Sequence, residues 1–191
     1  FLKARVCVCL GSGGGYVPRL MVDCVHELNE TQMYPEDTFG EVYVVDATNG
    51  FNGEVDWSDE DSFLREKFNP RFINSTTTDA FYNFFVKRDV KIDYLHIDAD
   101  HTYEGCKLDF DLYSTIMNEN GIISIHDTDR EYWENFETYD GEEHDSCTGP
   151  SEVVKEVSNK WEVFNLFDYR EKNEVLPSSG LTLLRRKNEE V

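Results

Sequence analysis

The stretch Val6-Cys7-Val8-Cys9-Leu10-Gly11-Ser12-Gly13-Gly14-Gly15-Tyr16-Val17-Pro18 decides the fold. A short apolar run from Arg5 to Leu10 stops abruptly at glycines, after which Val17, Leu20, Met21, Cys24, Val25 and Leu28 recur at helical spacing. The segment reads as strand, glycine turn, helix. Proline is tolerated only in a helix's first turn, so Pro18 sets the helix start near Tyr16 or Val17, directly behind the glycines. Such a turn lets the backbone approach a ligand closely, with the helix N-terminus beneath it. A dinucleotide fingerprint would want its third glycine at position 16, where Tyr16 stands, which disfavours a nicotinamide site.

Outward from this turn the same alternation repeats. Glu41 to Asp46 is a β-branched run closing on a carboxylate, and Ser58 with Asp61 forms a capping pattern for a helix through Phe68, stopped by Pro70. Arg71 to Asn74 is a third short strand, and Thr78 or Asp79 caps an aromatic helix holding Phe81, Phe84 and Phe85. A fourth strand, Ile92 to Ile97, ends at Asp98; Leu108, Leu112 and Ile116 mark the next helix; Asn118 to Gly121 turns the chain into Ile122-Ile123-Ser124-Ile125. This βαβαβ order predicts an α/β fold with a mainly parallel sheet. Asp129 to Gly149, acidic and aromatic without period, reads as a surface loop or lid in which Tyr132, Trp133 and Tyr139 are available to stack on a ring. A short helix from Pro150 to Val157 follows, and then Trp161 to Tyr169 and Leu181 to Arg186 pair as a C-terminal antiparallel hairpin.

With 191 residues, 39% of them hydrophobic and 14% aromatic, the chain fills one core, and residues 1–191 are read as a single domain. The 39 acidic against 18 basic side chains give a net charge of −21, which repels nucleic-acid phosphates and anionic membrane surfaces. No segment approaches the ~18 apolar residues of a membrane span. Five cysteines, two of them at positions 7 and 9 of one strand, suggest free thiols in a reducing, cytoplasmic setting. The sequence starts at Phe1 rather than Met, so an upstream segment is expected. Oligomeric state is not legible.

The G-x-G-x-G spacing at Gly11, Gly13 and Gly15 resembles the first motif of class I S-adenosylmethionine (SAM)-dependent methyltransferases, although Cys9 stands where that family usually has an acidic residue. Asp46, at the tip of the second strand, matches the family's ribose-binding carboxylate, and Ser75 and Thr76 fall where it often contacts adenine. The segment Tyr94-Leu95-His96-Ile97-Asp98-Ala99-Asp100-His101-Thr102-Tyr103-Glu104-Gly105, with His126-Asp127 after the following helix, closely resembles a D-x-D-H-x-Y-E-G … H-D methyltransferase subgroup. That subgroup has sugar-modifying and cephalosporin-hydroxylase-like relatives.

The resemblance spans Arg5 to Arg186. It implies a Rossmann-like three-layer fold with a mainly parallel seven-stranded sheet, and methyl transfer from SAM to a hydroxyl of a small molecule or sugar. Gly11, Ser12, Gly13, Gly15, Asp46, Ser75 and Asp98 would serve the cofactor. Two carboxylates converging at neighbouring strand tips require a proton or a cation between them. By position in metal-dependent O-methyltransferases, Asp98, His126 and Asp127 would ligate Mg²⁺ or Mn²⁺, with Asp98 and His101 carrying the acid–base chemistry. The alternative for His126 and His101 is strand capping, and His96, set among apolar neighbours, reads as a hydrogen-bonded core histidine. Two rival functions are a catalytically silent SAM-fold binding module and a nicotinamide-dependent oxidoreductase.

Overall fold

The computed structural model describes residues 4–31, 39–48, 57, 68–134, 145–167 and 179–187. The helix expected from Ser58 lies outside them except for Phe68. Seven strands, β1 (Val6–Leu10), β2 (Glu41–Asp46), β3 (Arg71–Asn74), β4 (Ile92–Ile97), β5 (Met117–His126), β6 (Trp161–Leu166) and β7 (Leu181–Arg186), form one sheet in the order β3-β2-β1-β4-β5-β7-β6. Every pairing from β3 to β5 is parallel, whereas β7 runs antiparallel to both β5 and β6. This is the Rossmann-like sheet with its C-terminal hairpin. The order reverses between β1 and β4, and open α/β sheets bind ligands outside the strand ends at such a reversal.

Five α-helices are described: α1 (Tyr16–Glu30), α2 (Thr77–Ala80), α3 (Tyr103–Tyr113), α4 (Arg130–Glu134) and α5 (Gly149–Val157). Because β1 is buried on both sides, its run is continuously apolar rather than alternating. Val8 and Leu10 enter a core with Leu95, Ile97, Ile123, Phe85, Phe110, Tyr113 and Val153, whereas Cys7 and Cys9 face Met21, Val22 and Val25 of α1. Phe85 is fully buried, and truncating it to alanine should cost about 3–5 kcal/mol. All five cysteines are free thiols, and among the described residues no helix is long and apolar enough to cross a membrane.

Local expectations need four adjustments. The cap of the aromatic helix is Thr76, whose side chain accepts from the Asp79 amide, rather than Thr78 or Asp79. Continuing from α2, that helix passes through a π turn at Phe81–Phe85, which buries Phe81 and Phe85. On α3 the buried positions are Cys106, Asp109, Phe110 and Tyr113, while Leu108 is 47% exposed. The apolar stripe misled because a carboxyl, Asp109, occupies the packed face. Third, β5 already starts at Met117, and the Asn118–Gly121 turn is a register shift within its pairing to β4. Finally, the acidic segment, a surface loop or lid by its sequence, carries helical structure in the described residues at its two ends, α4 and a 3₁₀ turn at Asp145–Thr148. The Arg130–Glu152 ion pair, 3.2 Å, ties α4 to α5.

Candidate active site

A cleft of about 720 Å³ opens at the reversal point, lined by Gly11, Gly13, Gly14, Asp46, Ser75, Thr77, Asp98, His101, His126 and Asp127, among others. Its floor is fixed by backbone bonds between strand ends, Gly11 N–H to Val45 C=O and Asp98 N–H to Leu10 C=O, both 2.9 Å. Gly11 has φ +79°, and a β-carbon there would lie 2.0 Å from the Asp98 carbonyl oxygen, so only glycine fits. At Gly13, φ +45°, such a carbon would make ordinary van der Waals contact with Asp98 Oδ2 at 3.8 Å, on the side that lines the cleft.

Asp46 knits this wall together. Its Oδ2 accepts from the Ser12 amide (2.9 Å) and hydroxyl (2.7 Å), and its Oδ1 from the Thr48 amide (2.8 Å) and hydroxyl (2.9 Å). Burial pushes this carboxyl up, but the four donors outweigh it and hold its pKa below the ordinary value. Ser12 is only 4% exposed and its hydroxyl is spent on Asp46, so it shapes the glycine turn from beneath. Ser75 lines the cleft, and its amide donates to the Asp46 carbonyl at 3.1 Å. Gly15, φ +75°, is the N-cap of α1 and closes the turn with an N–H to Ser12 C=O bond of 2.7 Å.

The opposite wall is a charge cluster. His101 Nε2 sits between two carboxylates, 2.7 Å from Asp127 Oδ2 and 3.3 Å from Asp98 Oδ1. Across from it, His126 Nδ1 lies 3.0 Å from Asp127 Oδ1 and 3.2 Å from Asp98 Oδ1. Hydrogen bonding to Asp127 and then Asp98 pushes the His101 pKa to about 10. For His126, burial lowers the pKa, but the same two carboxylates outweigh it and carry it to about 10. Burial would raise both carboxyls; the imidazoles instead hold Asp98 far below the usual range and Asp127 at about 2. At neutral pH the cluster is thus two carboxylates and two imidazolium ions, with no net charge. Asp127 pays for its place with a left-handed backbone, φ +58°, of the kind that concentrates at functional sites.

The predicted residues therefore converge. Among the described residues, Asp98, His101 and Asp127 offer ligand atoms that all lie within 4.8 Å of one another, a donor set of oxygen and imidazole that suits Mg²⁺ or Mn²⁺. His126, the third ligand that the resemblance implies, lies beside this set, its Nδ1 3.0 Å from Asp127 Oδ1 and 3.2 Å from Asp98 Oδ1. Cys106 is 1% exposed and its thiol is pushed up to about 12 by burial, which makes it an inert core residue. Sequence reasoning missed Asp109, which is buried behind the cleft-lining Thr77, and it missed the partners of His96. The second omission was avoidable, because Tyr94 and His96 in β4 and Ser124 in β5 share one face by simple alternation.

Residues 8–128, more than half of the chain, match the family described as methyltransferase domain. The chain belongs to that family. Among solved structures, this methyltransferase-family chain is similar to the O-methyltransferase TomG of Streptomyces achromogenes, involved in tomaymycin synthesis and solved in complex with SAM. The TM-score is 0.64 at 10% identity, covering 97% of this chain and 74% of that one. An O-methyltransferase from Bacillus cereus in complex with SAH gives 0.64 at 14% identity, with 96% and 74% covered. An rRNA methylase from Streptococcus thermophilus gives 0.56 at 10% identity, with 96% and 87% covered. At these identities the likeness is one of fold. No curated protein matches the sequence.

Proposed function

We propose that this methyltransferase-family protein transfers a methyl group from SAM to a hydroxyl of a small molecule or sugar, with a divalent cation assisting. The observation that carries the reading is the juxtaposition, within one cleft, of the glycine turn and Asp46 on one wall with the Asp98–His101–Asp127–His126 cluster on the other. Two of the structurally similar O-methyltransferases hold SAM or SAH, which fits a donor in this cleft. The donor would approach along Gly13, with Ser75 and Thr76 beside its purine end, and its ribose hydroxyls would share Asp46 Oδ1 with Thr48.

A cation held by Asp98, His101 and Asp127 would supply a Lewis acid that lowers the acceptor's pKa. The chain's own groups do the positioning. Asp98, ionised and facing the cleft, accepts the hydrogen bond of the acceptor hydroxyl and aims its oxygen at the donor, holding the pair near attack distance. Without a cation the two carboxylates keep His101 and His126 protonated; His101 would give up its proton to a cation held at Asp98, His101 and Asp127, and would serve as base only once that proton has left. The net charge of −21 favours a neutral or cationic acceptor over an RNA phosphate backbone. The test is transfer of a labelled methyl from SAM to a panel of phenols, polyols, sugars and RNA, with and without chelator. Labelling of hydroxyl compounds supports the reading. Labelling of RNA alone, or of nothing while SAM is bound, overturns it in favour of a nucleic-acid methylase or a silent SAM-fold module.

A further inference from the structure

Asp98 is surrounded by three imidazoles, and the third belongs to neither wall of the cleft. His96 is 2% exposed, and its Nε2 lies 3.9 Å from Asp98 Oδ2 with no hydrogen-bond partner. Its other nitrogen, Nδ1, is 2.8 Å from Ser124 Oγ, which in turn is 2.9 Å from Tyr94 Oη and 3.3 Å from the Leu95 carbonyl. Ser124 is fully buried.

The Ser124 hydroxyl has a single proton to give. Burial pushes the Tyr94 phenol up, so Tyr94 stays protonated and donates to Ser124 Oγ. Of the two acceptors left to Ser124, His96 Nδ1 is half an ångström closer than the Leu95 carbonyl. The reverse arrangement, with the proton on Nδ1, would aim a bare Nε2 lone pair at the Asp98 carboxylate 3.9 Å away, a repulsion that the low dielectric of a buried site strengthens. We propose that a buried chain running Tyr94 O–H to Ser124 O–H to His96 holds His96 as its Nε2–H tautomer, and that this N–H faces Asp98 Oδ2 as a positioning group.

At 3.9 Å the contact is a dipole–charge attraction rather than a hydrogen bond. It holds Oδ2 between His96 and the Gly13 side of the cleft and leaves Oδ1 to His101 and His126, 3.3 and 3.2 Å away. Outer partners of this kind orient a working carboxylate without touching substrate. The consequence for methyl transfer rests on the proposed function; the tautomer does not.

Two measurements on the full chain test it. A long-range ¹H–¹⁵N spectrum of the imidazoles, with His96 identified by loss of its peaks in His96→Gln, should show the Nε2–H pattern. In Ser124→Ala, which removes the donor to Nδ1, an Nδ1–H population should appear. Protonation at Nδ1 in the wild type, or on both nitrogens, overturns the proposal whether or not the protein is a methyltransferase. For the positioning role, His96→Gln keeps a donor near the Nε2 position and His96→Asn keeps one only near Nδ1. Turnover of a hydroxyl acceptor should fall about tenfold or more in His96→Asn and far less in His96→Gln, with SAM affinity unchanged in both. Equal losses in the two variants would reduce His96 to a packing residue and refute the role.

Discussion

Asp109 offers a sharp test of the packing behind the cleft. It is 1% exposed on the inner face of α3, and its Oδ2 has no partner, while a hydrogen bond to the Thr77 side chain satisfies the rest. Burial, reinforced by the charge of Asp100 and opposed by that Thr77 bond, raises its pKa from 3.8 to about 6. A folded-state pKa above the unfolded value means that the folded protein binds more protons between the two, so stability falls as pH rises through that window. A shift of about two units at ~1.4 kcal/mol each amounts to roughly 3 kcal/mol lost between pH 4 and pH 7. Asp109→Asn cannot ionise and should lack this slope, although its buried amide keeps an unpaired group of its own. Urea unfolding at half-unit intervals from pH 4 to pH 7, for both proteins, isolates the effect in the difference curve. Parallel curves would show that Asp109 is not desolvated as described.

Three further outcomes follow from the site. Gly13→Val should leave the fold intact apart from about 1–2 kcal/mol of backbone strain but abolish the stabilisation by SAM, which in the wild type should reach ~2.7 kcal/mol at about 100 times the dissociation constant, read by thermal shift. Because His101 and His126 hold protons where a cation would sit, Mn²⁺ binding should release about one proton near pH 7, visible as a dependence of calorimetric heat on buffer ionisation enthalpy; heats independent of buffer would contradict it. Their pKa values are raised above 6.5, so the stability they contribute is complete below about pH 6.5 and lost as pH rises toward about 10. His101→Gln should flatten the melting temperature over that range, and an unchanged decline would place its cause elsewhere.

The centre of the sheet was legible because β1 and β2 are nearly continuous apolar runs with both faces buried, Val6–Leu10 running into Gly11 and Glu41–Asp46 closing on a carboxylate, and both of those ends mark the cleft. The approach of Asp98, His101, His126 and Asp127 could be foreseen from strand-tip positions, since β4 and β5 are parallel neighbours. What was hidden is how their protons are shared: His101 and His126 lie 2.7 and 3.0 Å from Asp127 and 3.3 and 3.2 Å from Asp98, and no spacing rule reports that. The face of α3 was misjudged because hydropathy cannot show that Asp109 is the inward carboxyl and Leu108 the exposed aliphatic. Hidden likewise is the bond that ties Ser12 to the carboxylate of Asp46, 34 residues away, which no local spacing reports.

Calorimetric titration of the wild type and Gly13→Val with SAM, each with and without Mg²⁺, tests the central claim most directly. The account predicts saturable binding of one SAM per wild-type chain and none to the variant, because a side chain at position 13 enters the space in front of Asp98. Equal binding to both proteins, or none to a folded wild type, would contradict it.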